Sequence, residues 1–202
     1  MDASAEFEEL RREVESCVKC PLHKSRKRPV LGEGNLNAEV MVIGEAPGAV
    51  EDEEGRPFVG PAGRLLTALL NEIGVKREEL YITNVVKCRP PNNRDPEESE
   101  IEACLPYLIR QIKLIRPRKI VALGIHSTRT ILRFSGIKVD ELSRFRGRVF
   151  RVSINGVEAE VYPTYHPAAA LYNPKLRGII KNDLENAFKG KVRQGALDEY
   201  LK

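Results

Sequence analysis

Four cysteines are the residues of this 202-residue chain whose type and spacing most directly suggest chemistry. They are Cys17 and Cys20 in a CVKC motif, and Cys88 and Cys104 as single residues with fifteen others between them. Four thiolates without a spare suit a four-coordinate site that holds either tetrahedral zinc or a cubane iron–sulfur cluster. The spacing does not distinguish these two, and four unrelated buried thiols are the third interpretation.

A second group of candidates consists of polar or aromatic residues in glycine- and proline-rich surroundings. They are the GEAPG segment at 44–48, Phe58 between two glycine-flanked turns, Asn84 in an apolar run, and His166 before a proline. GEAPG matches neither the P-loop nor the dinucleotide fingerprint, so it does not predict a nucleotide cofactor. Each feature alone also has an ordinary structural explanation: a tight turn, a core aromatic, a loop-capping amide or a structural histidine.

Hydrophobic periodicity predicts the elements that must position these candidates. Helices are expected over 4–16, 61–73, 97–115 (with Asp95 as N-cap), after Gly124, and over about 175–188. Strands are expected over 38–43, 80–86 and 119–123, followed by a hairpin over 148–165 that turns at Asn155-Gly156. Strands that alternate with helices predict an α/β fold with a mainly parallel sheet. Because such sheets bind ligands beyond the carboxyl ends of their strands, we expect GEAPG, Asn84 and His166 to meet at one edge.

Composition limits the classes of function. Hydrophobic residues make up 42% and charged residues 31%, which is typical of a soluble globular protein, and no apolar run is long enough to cross a membrane. The charged N-terminus does not resemble a secretory signal, so we expect a cytoplasmic location and free thiols. A net charge of +4 permits a polyanionic partner without requiring one. We predict one domain over 1–202, with a polar tail from about 190.

Several segments, taken together and in order, closely resemble the family 4 uracil-DNA glycosylases, which are frequent in thermophilic bacteria and archaea. The segments are GEAPG at 44–48, GRPFVGPAG at 55–63, TNVVKCRPP at 83–91 and YHP at 165–167, framed by the four cysteines. The resemblance covers nearly the whole chain, from about Cys17 to the helix near Phe188. It implies a three-layer α/β/α fold with a central four-stranded, mainly parallel sheet. It also implies a monomeric, nucleoid-associated enzyme that acts on uracil in single- or double-stranded DNA.

The resemblance also implies ligands and excludes close relatives. Cys17, Cys20, Cys88 and Cys104 are expected to bind one 4Fe–4S cluster with a structural role. A cross-linking subfamily carries a histidine in a KRRIH insertion, and the corresponding KCRPPNNRDPEE segment here has no histidine. Family 5 members have a GLAPA-like first motif instead of GEAPG. Family 1 members use an aspartate to prime water, and the nearest acidic residue here is Glu45.

The roles expected for individual residues follow from the chemistry of uracil excision. Phe58 stacks on the everted base, Asn84 reads its Watson–Crick edge, and His166 donates a hydrogen bond to O2 as charge develops. Glu45 either orients the attacking water or, together with Ala46 and Pro47, presents its backbone to the base. Glu51 or Asp52 excludes the thymine methyl group. The expected DNA contacts are Lys87, Arg89, Arg94, Lys175 and Arg177, with Leu171 and Tyr172 as candidate wedge residues.

Two other classes of function remain open at this point. One is an iron–sulfur module that binds DNA or senses damage without turnover, and the other is an electron carrier. Asn84, His166 and Phe58 together favour the enzyme, because an electron carrier needs none of them.

Overall fold

The computed structural model describes residues 3–189 and contains one mixed sheet covered by helices on both faces. The strands are β1 Glu33–Gly34, β2 Val40–Gly44, β3 Tyr81–Asn84, β4 Lys119–Leu123, β5 Phe150–Ile154 and β6 Val157–Thr164. The helices are α1 Ala3–Glu15, α2 Ala49–Glu54, α3 Pro61–Glu72, α4 Glu98–Ile115, α5 Ile125–Leu132, α6 Pro167–Tyr172 and α7 Lys175–Lys189. The predicted α/β class is therefore confirmed, and the predicted bounds differ from the observed ones mostly by one or two residues.

The order of the strands across the sheet is β1-β3-β2-β4-β6-β5. The four inner strands run parallel, so β2, β3, β4 and β6 all end at the same edge. The expected number of four strands is wrong for the whole sheet, because β1 and β5 add an antiparallel strand at each side. The β1 strand is only two residues long, too short for a periodic pattern to reveal it.

Alternate side chains of the inner strands enter two separate cores, and this alternation produces the three layers. Met41 and Ile43 of β2 pack with α1, α4 and α5, whereas Val40 and Val42 pack with α3 and α7. Because both faces are covered, β2 is apolar and buried along its whole length. The two cores fix the sheet rigidly, and the positions of its strand ends with it.

The predicted N-cap of α4 is wrong. The helix begins at Glu98, and Glu97 is its N-cap in a reciprocal capping box with Glu100. The backbone amide of Glu97 donates to Glu100 Oε2 at 2.8 Å, and Arg94 pairs with the same carboxylate. Asp95 is instead exposed and faces α5.

The predicted hairpin turn at Asn155-Gly156 is present, with both residues in the left-handed region at φ of 47° and 82°. None of the helices in the described part of the chain is long and apolar enough to cross a bilayer. The polar tail predicted from about 190 lies outside the described residues.

Candidate functional site

A pocket opens at the sheet edge where the four parallel strands end. It is lined by the loop after β2, the loop before α3, the end of β3, the loop after β3 and the start of α6. Six predicted site residues line this one pocket: Glu45, Ala46, Pro47, Phe58, Asn84 and His166. Residues that are far apart in the sequence are thus brought together by the common end of the parallel strands.

Asn84 is the last residue of β3 and lies in register with Gly44 of β2. Its side-chain Oδ1 is buried and is the one such atom among the described residues without a hydrogen-bond partner. Leaving a buried carbonyl oxygen unpaired costs about 1–3 kcal/mol. A ligand that brings an N–H group to this oxygen removes that cost, so the pocket selects for a hydrogen-bond donor at this point.

Gly44 allows two of these side chains to approach the backbone closely. A Cβ atom at this position would lie 2.4 Å from Asn84 Oδ1 and 2.5 Å from Phe58 Cζ, distances that real side chains do not reach. Gly44 belongs to the GEAPG segment that is expected at the ligand-binding edge of the sheet. The structure shows that the nearest neighbours it accommodates are the protein's own amide and ring.

Phe58 occupies a backbone conformation that its loop must hold in place, because its φ is 52°. Arg77 donates from Nη1 to the Phe58 carbonyl at 2.9 Å. On the other side, Glu51 Oε1 accepts from the amides of Val59 at 2.9 Å and Gly60 at 2.7 Å. Residues from α2 and from the turn before β3 therefore fix the ring at the pocket wall.

His166 is the N-cap of α6, and its Nδ1 accepts a hydrogen bond from the Ala168 amide at 3.1 Å. In the neutral imidazole this arrangement leaves the proton on Nε2, which is then a donor. Burial lowers the pKa of His166 to about 4, against a small opposing effect of Glu51. The ring also stacks on Phe58, with centroids 5.5 Å apart and planes at 29°. His166 is therefore a neutral donor at neutral pH.

Glu45 follows β2 and has neighbours that the sequence analysis missed. His126 Nε2 lies 3.9 Å from Glu45 Oε2 and 3.1 Å from Asp95 Oδ2. Burial raises the pKa of Glu45; the His126 ring opposes this rise, and Asp95 adds to it. The Glu45 backbone carbonyl is already used, because it accepts from the Val86 amide at 3.0 Å. The position of His126 just after Gly124, at the end of β4, was the available sequence signal.

The structure separates the two acidic residues that were expected to exclude a thymine methyl group. Glu51 lines the pocket, whereas Asp52 is buried elsewhere and accepts from the Lys27 amide at 2.9 Å. Both candidate wedge residues lie at the pocket rim on α6. Leu171 is exposed, and Tyr172 is 91% exposed, the most exposed large hydrophobic residue in the described chain.

One predicted DNA contact is wrong. Lys87 is 1% exposed, and its ammonium donates to groups inside the protein, so it cannot reach a phosphate. Burial lowers its pKa to about 8, and the thiols of Cys104 and Cys88 oppose that shift. Arg94 borders the pocket and forms a two-point ion pair with Glu100 at 2.7 and 2.8 Å. Arg89, Lys175 and Arg177 are partly or fully exposed.

A second, smaller pocket is lined by all four cysteines. They come from the segment after α1, the loop after β3 and the middle of α4, and none of them is in a disulfide. Burial raises the pKa values of Cys20, Cys88 and Cys104, the last to about 12. A bound metal ion deprotonates the thiols that coordinate it, so four cysteines around one pocket suit a metal centre.

The donor groups around this pocket fit an iron–sulfur cluster. Arg26 Nη1 donates to Cys88 Sγ at 3.1 Å, and the Lys87 amide donates to Cys104 Sγ at 3.2 Å. Hydrogen bonds of this kind to sulfur tune iron–sulfur clusters. The Lys19 ammonium lies 4.5 Å from the Tyr107 ring centroid at the pocket wall and adds positive charge.

Four cysteine sulfurs are also the donor set of a structural zinc site. Tetrahedral zinc with Zn–S bonds of about 2.3 Å requires sulfurs about 3.8 Å apart. Within residues 3–189, the one group of three or more possible ligands that all lie within 4.8 Å of one another is Glu45, Asp95 and His126. Glu45 of this group lines the larger pocket and not the cysteine pocket.

The fold and the two pockets together define a class of protein. The sheet has helices on both faces and a pocket at the edge where its four parallel strands end. A carboxamide, a neutral imidazole and an aromatic ring line this pocket. A separate four-cysteine pocket lies beside it. This combination is that of an α/β enzyme that binds a flat, polar ligand and has a separate four-cysteine pocket suited to a structural metal centre.

Similarity to known proteins identifies the family within this class. The sequence profile of the uracil DNA glycosylase superfamily matches residues 31–191. A type-4 uracil-DNA glycosylase from Pyrobaculum aerophilum is 50% identical over 196 residues, which are 97% of each chain. Another from Saccharolobus solfataricus is 57% identical over 172 residues, 85% of this chain and 80% of that protein. A third, from Sulfurisphaera tokodaii, is 52% identical over 192 residues, 95% of this chain and 85% of that protein.

The chain therefore belongs to the uracil-DNA glycosylase superfamily and, within it, to the type-4 enzymes. This membership confirms the resemblance found in the sequence motifs. It makes the chain a uracil-DNA glycosylase with a role in DNA repair, so the electron carrier and the module without turnover are set aside.

Proposed function

We propose that this enzyme hydrolyses the N-glycosidic bond of deoxyuridine in single- or double-stranded DNA, releases uracil and leaves an abasic site. The observation that carries the proposal is the unpaired, buried Oδ1 of Asn84 in a pocket that also holds Phe58 and His166. A base inside a duplex cannot reach this pocket, so the nucleotide is flipped out at a cost of a few kcal/mol.

Asn84 reads the everted base. Its Oδ1 accepts the N3–H of uracil, and its amide group donates to O4. Cytosine presents an acceptor at N3 and a donor at C4, so both groups of Asn84 stay unpaired against it. Sites built to pair with a particular polar group reject ligands that lack it by large factors, about 10⁴–10⁵ in favourable cases. Phe58 contributes stacking worth roughly 1–3 kcal/mol.

His166 stabilises the leaving group. As the glycosidic bond breaks, negative charge develops on N1 and O2 of uracil, and the Nε2–H of His166 donates to O2. The Ala168 amide holds the ring in this tautomer, so little reorganisation is needed during the reaction. One preorganised donor of this kind contributes about 3–4 kcal/mol.

Glu45 positions the attacking water. Its carboxylate borders the pocket while its carbonyl is bonded to Val86, so the side chain is the part free to act on water. Water hydrogen-bonded to the carboxylate attacks C1′ of the sugar after the bond to the base has lengthened. Ala46 and Pro47 complete the wall of the pocket beside Glu45.

We propose a 4Fe–4S cluster at Cys17, Cys20, Cys88 and Cys104. When bound, it supplies a covalent cross-link between the segment after α1, the loop after β3 and α4. The protein acts as a monomer on DNA, with Tyr172 and Leu171 at the rim of the pocket to fill the vacated stack. The exposed basic residues Arg89, Lys175 and Arg177 contact the phosphates.

The proposal is tested with a uracil-containing oligonucleotide that is incubated with protein and then treated with alkali. The intact enzyme should produce alkali-labile breaks at uracil, and free uracil should appear in equal amount. His166→Ala is the control and should lower the rate about 100-fold or more. Breaks no more frequent than with this variant would reject the proposed reaction.

Asn84→Asp tests the assignment of the reader. An ionised aspartate cannot donate to O4, so uracil release should fall at least about 100-fold while release of cytosine becomes measurable. Unchanged uracil release by this variant would show that another residue reads the base. Purified protein should also be brown, and colourless protein with one zinc per chain would contradict the cluster.

A further inference from the structure

The ammonium of Lys87 is buried directly below the base reader. It donates to the backbone carbonyl of Asn84 at 2.6 Å, to Thr83 Oγ1 at 2.7 Å and to Gln111 Oε1 at 2.6 Å. All three of its protons therefore have a partner.

The three acceptors belong to a larger buried network. Gln111 Nε2 donates to Tyr81 Oη at 2.9 Å and to the Leu31 carbonyl at 2.7 Å, and Thr83 Oγ1 donates to the same carbonyl at 2.7 Å. The network joins β3 to α4 and to the segment before β1. Lys87 is the cation at its centre, so the end of β3 is held from below by fixed polar contacts.

Lys87 also connects this network to the cysteine pocket. Its backbone amide donates to Cys104 Sγ at 3.2 Å, and the next residue is Cys88. No carboxylate in the described part of the chain forms an ion pair with its ammonium. One residue thus touches a cysteine ligand with its backbone and the base reader with its side chain.

We propose that Lys87 is a positioning residue for base recognition, which ties the backbone of Asn84 to the cysteine-bearing loop and so fixes the direction of the Asn84 carboxamide. This inference rests on the proposed role of Asn84. Within residues 3–189 the Oδ1 atom of Asn84 has no hydrogen-bond partner, so its direction depends on the backbone of Asn84 and on packing against Gly44. The Lys87 ammonium is the group that holds that backbone at the strand end.

The test uses a double-mutant cycle on the iron-loaded protein with Lys87→Met, Asn84→Ala and the double variant. Free uracil is the probe, and its inhibition constant is measured together with kcat, KM and iron content. Lys87→Met should weaken uracil inhibition about 10–100-fold with iron retained, as expected for loss of a charged hydrogen bond. Lys113→Met, on the exposed face of α4, is the matched control and should change nothing.

The double variant separates positioning from general stability. If Lys87 acts through Asn84, the double variant should bind uracil no more weakly than Asn84→Ala alone. Independent, additive losses would overturn the inference, and so would an unchanged inhibition constant in Lys87→Met. If Asn84→Ala itself binds uracil normally, then the proposed function of Asn84 fails. If Asn84→Ala weakens uracil inhibition but Lys87→Met does not, the proposed function of Asn84 stands and the inference about Lys87 fails.

Gln111→Met keeps the inference testable if Lys87→Met does not fold. This variant removes one of the three acceptors of the ammonium and leaves Lys87 and Asn84 in the chain. It should weaken uracil inhibition in the same direction by a smaller factor and should show the same non-additivity with Asn84→Ala. Uracil inhibition equal to that of the parent protein would then overturn the inference.

Discussion

Single side chains in this enzyme acquire their chemical states from very local contacts. His166 is neutral with its proton on Nε2, because the Ala168 amide occupies Nδ1 and burial disfavours the charged ring. Glu45 lies in the loop after β2, and burial raises the pKa of its carboxyl group. The roles proposed for His166 and Glu45 therefore depend on their surroundings as well as on residue type.

These states predict the pH dependence of the reaction. Glu45 must be ionised, so kcat/KM should fall as the pH decreases through its raised pKa. The Glu45→Gln variant should be slower than the parent enzyme, and its kcat/KM should not show this decrease. Its kcat/KM should begin to fall only near pH 4, where His166 becomes protonated and loses its hydrogen bond from the Ala168 amide. The measurement is a profile of kcat/KM from neutral pH down to about 4.

The His166→Ala variant provides the control for that profile. It should be slower at every pH and should keep the decrease that belongs to Glu45. If Glu45→Gln instead keeps the parent profile, then Glu45 does not orient the water, and the acid decrease belongs to another group.

The identity of the candidate residues could be predicted from sequence better than their partners could. Asn84 and His166 stood out because their residue types and neighbours were unusual for strands. His126 and Asp95 did not, since their contact with Glu45 depends on a loop and a helix that meet only in space. Lys87 was assigned to the surface because lysine is seldom buried, and three internal acceptors reverse that expectation here.

At the scale of elements, the loop before α3 depends on one carboxylate. Glu51 on α2 accepts from the amides of Val59 and Gly60 and so fixes the unusual backbone of Phe58. Periodicity located α3 and the strands well, because their apolar faces are long. It could not show this tie, nor the two-residue β1, nor that Glu97 is preferred to Asp95 as the cap of α4.

We expect Glu51→Ala to impair both stability and base stacking. It removes two hydrogen bonds to a carboxylate, worth about 2–4 kcal/mol together after relaxation, so Tm should fall by roughly 5–10 °C. Well below Tm, kcat/KM for uracil-containing DNA should still be reduced at least about tenfold, because Phe58 is no longer held. Calorimetry and steady-state kinetics provide the two measurements.

The matched variant for that prediction is Glu54→Ala, at the exposed end of the same helix. It removes an equal charge without touching the loop and should leave Tm and kcat/KM nearly unchanged. Equal losses in the two variants would mean that charge, and not the tie to Val59 and Gly60, is responsible.

At the scale of the whole molecule, the four cysteines come from the segment after α1, the loop after β3 and α4, elements that one of the two cores also joins. Arg26 supports this centre through its bond to Cys88 Sγ and through a second bond to the Glu15 carbonyl at 3.2 Å. The sequence indicates a four-cysteine site but not the hydrogen bond from Arg26, because residues 19–28 contain several basic side chains and such runs are usually solvated surface. The single-domain boundary over 1–202 stays a prediction.

We expect Arg26→Ala to weaken retention of the metal centre. Loss of a residue that hydrogen-bonds to a ligand typically lowers metal affinity 10–100-fold. The visible absorbance of the variant should therefore decay faster in the presence of a chelator than that of the parent protein. Lys24→Ala removes the same charge from an exposed position nearby and should decay at the parent rate. Equal decay in both variants would assign the effect to net charge.

The pairing of Gly44 with Asn84 has a consequence for misfolded copies of the enzyme. Slippage of β3 by a single residue would turn the carboxamide towards the opposite helical layer. Such a copy would keep its size and much of its secondary structure, but the pocket would lose the unpaired Oδ1 atom. On the role proposed for Asn84, recognition of uracil therefore requires the native register of β3 as well as the amide itself.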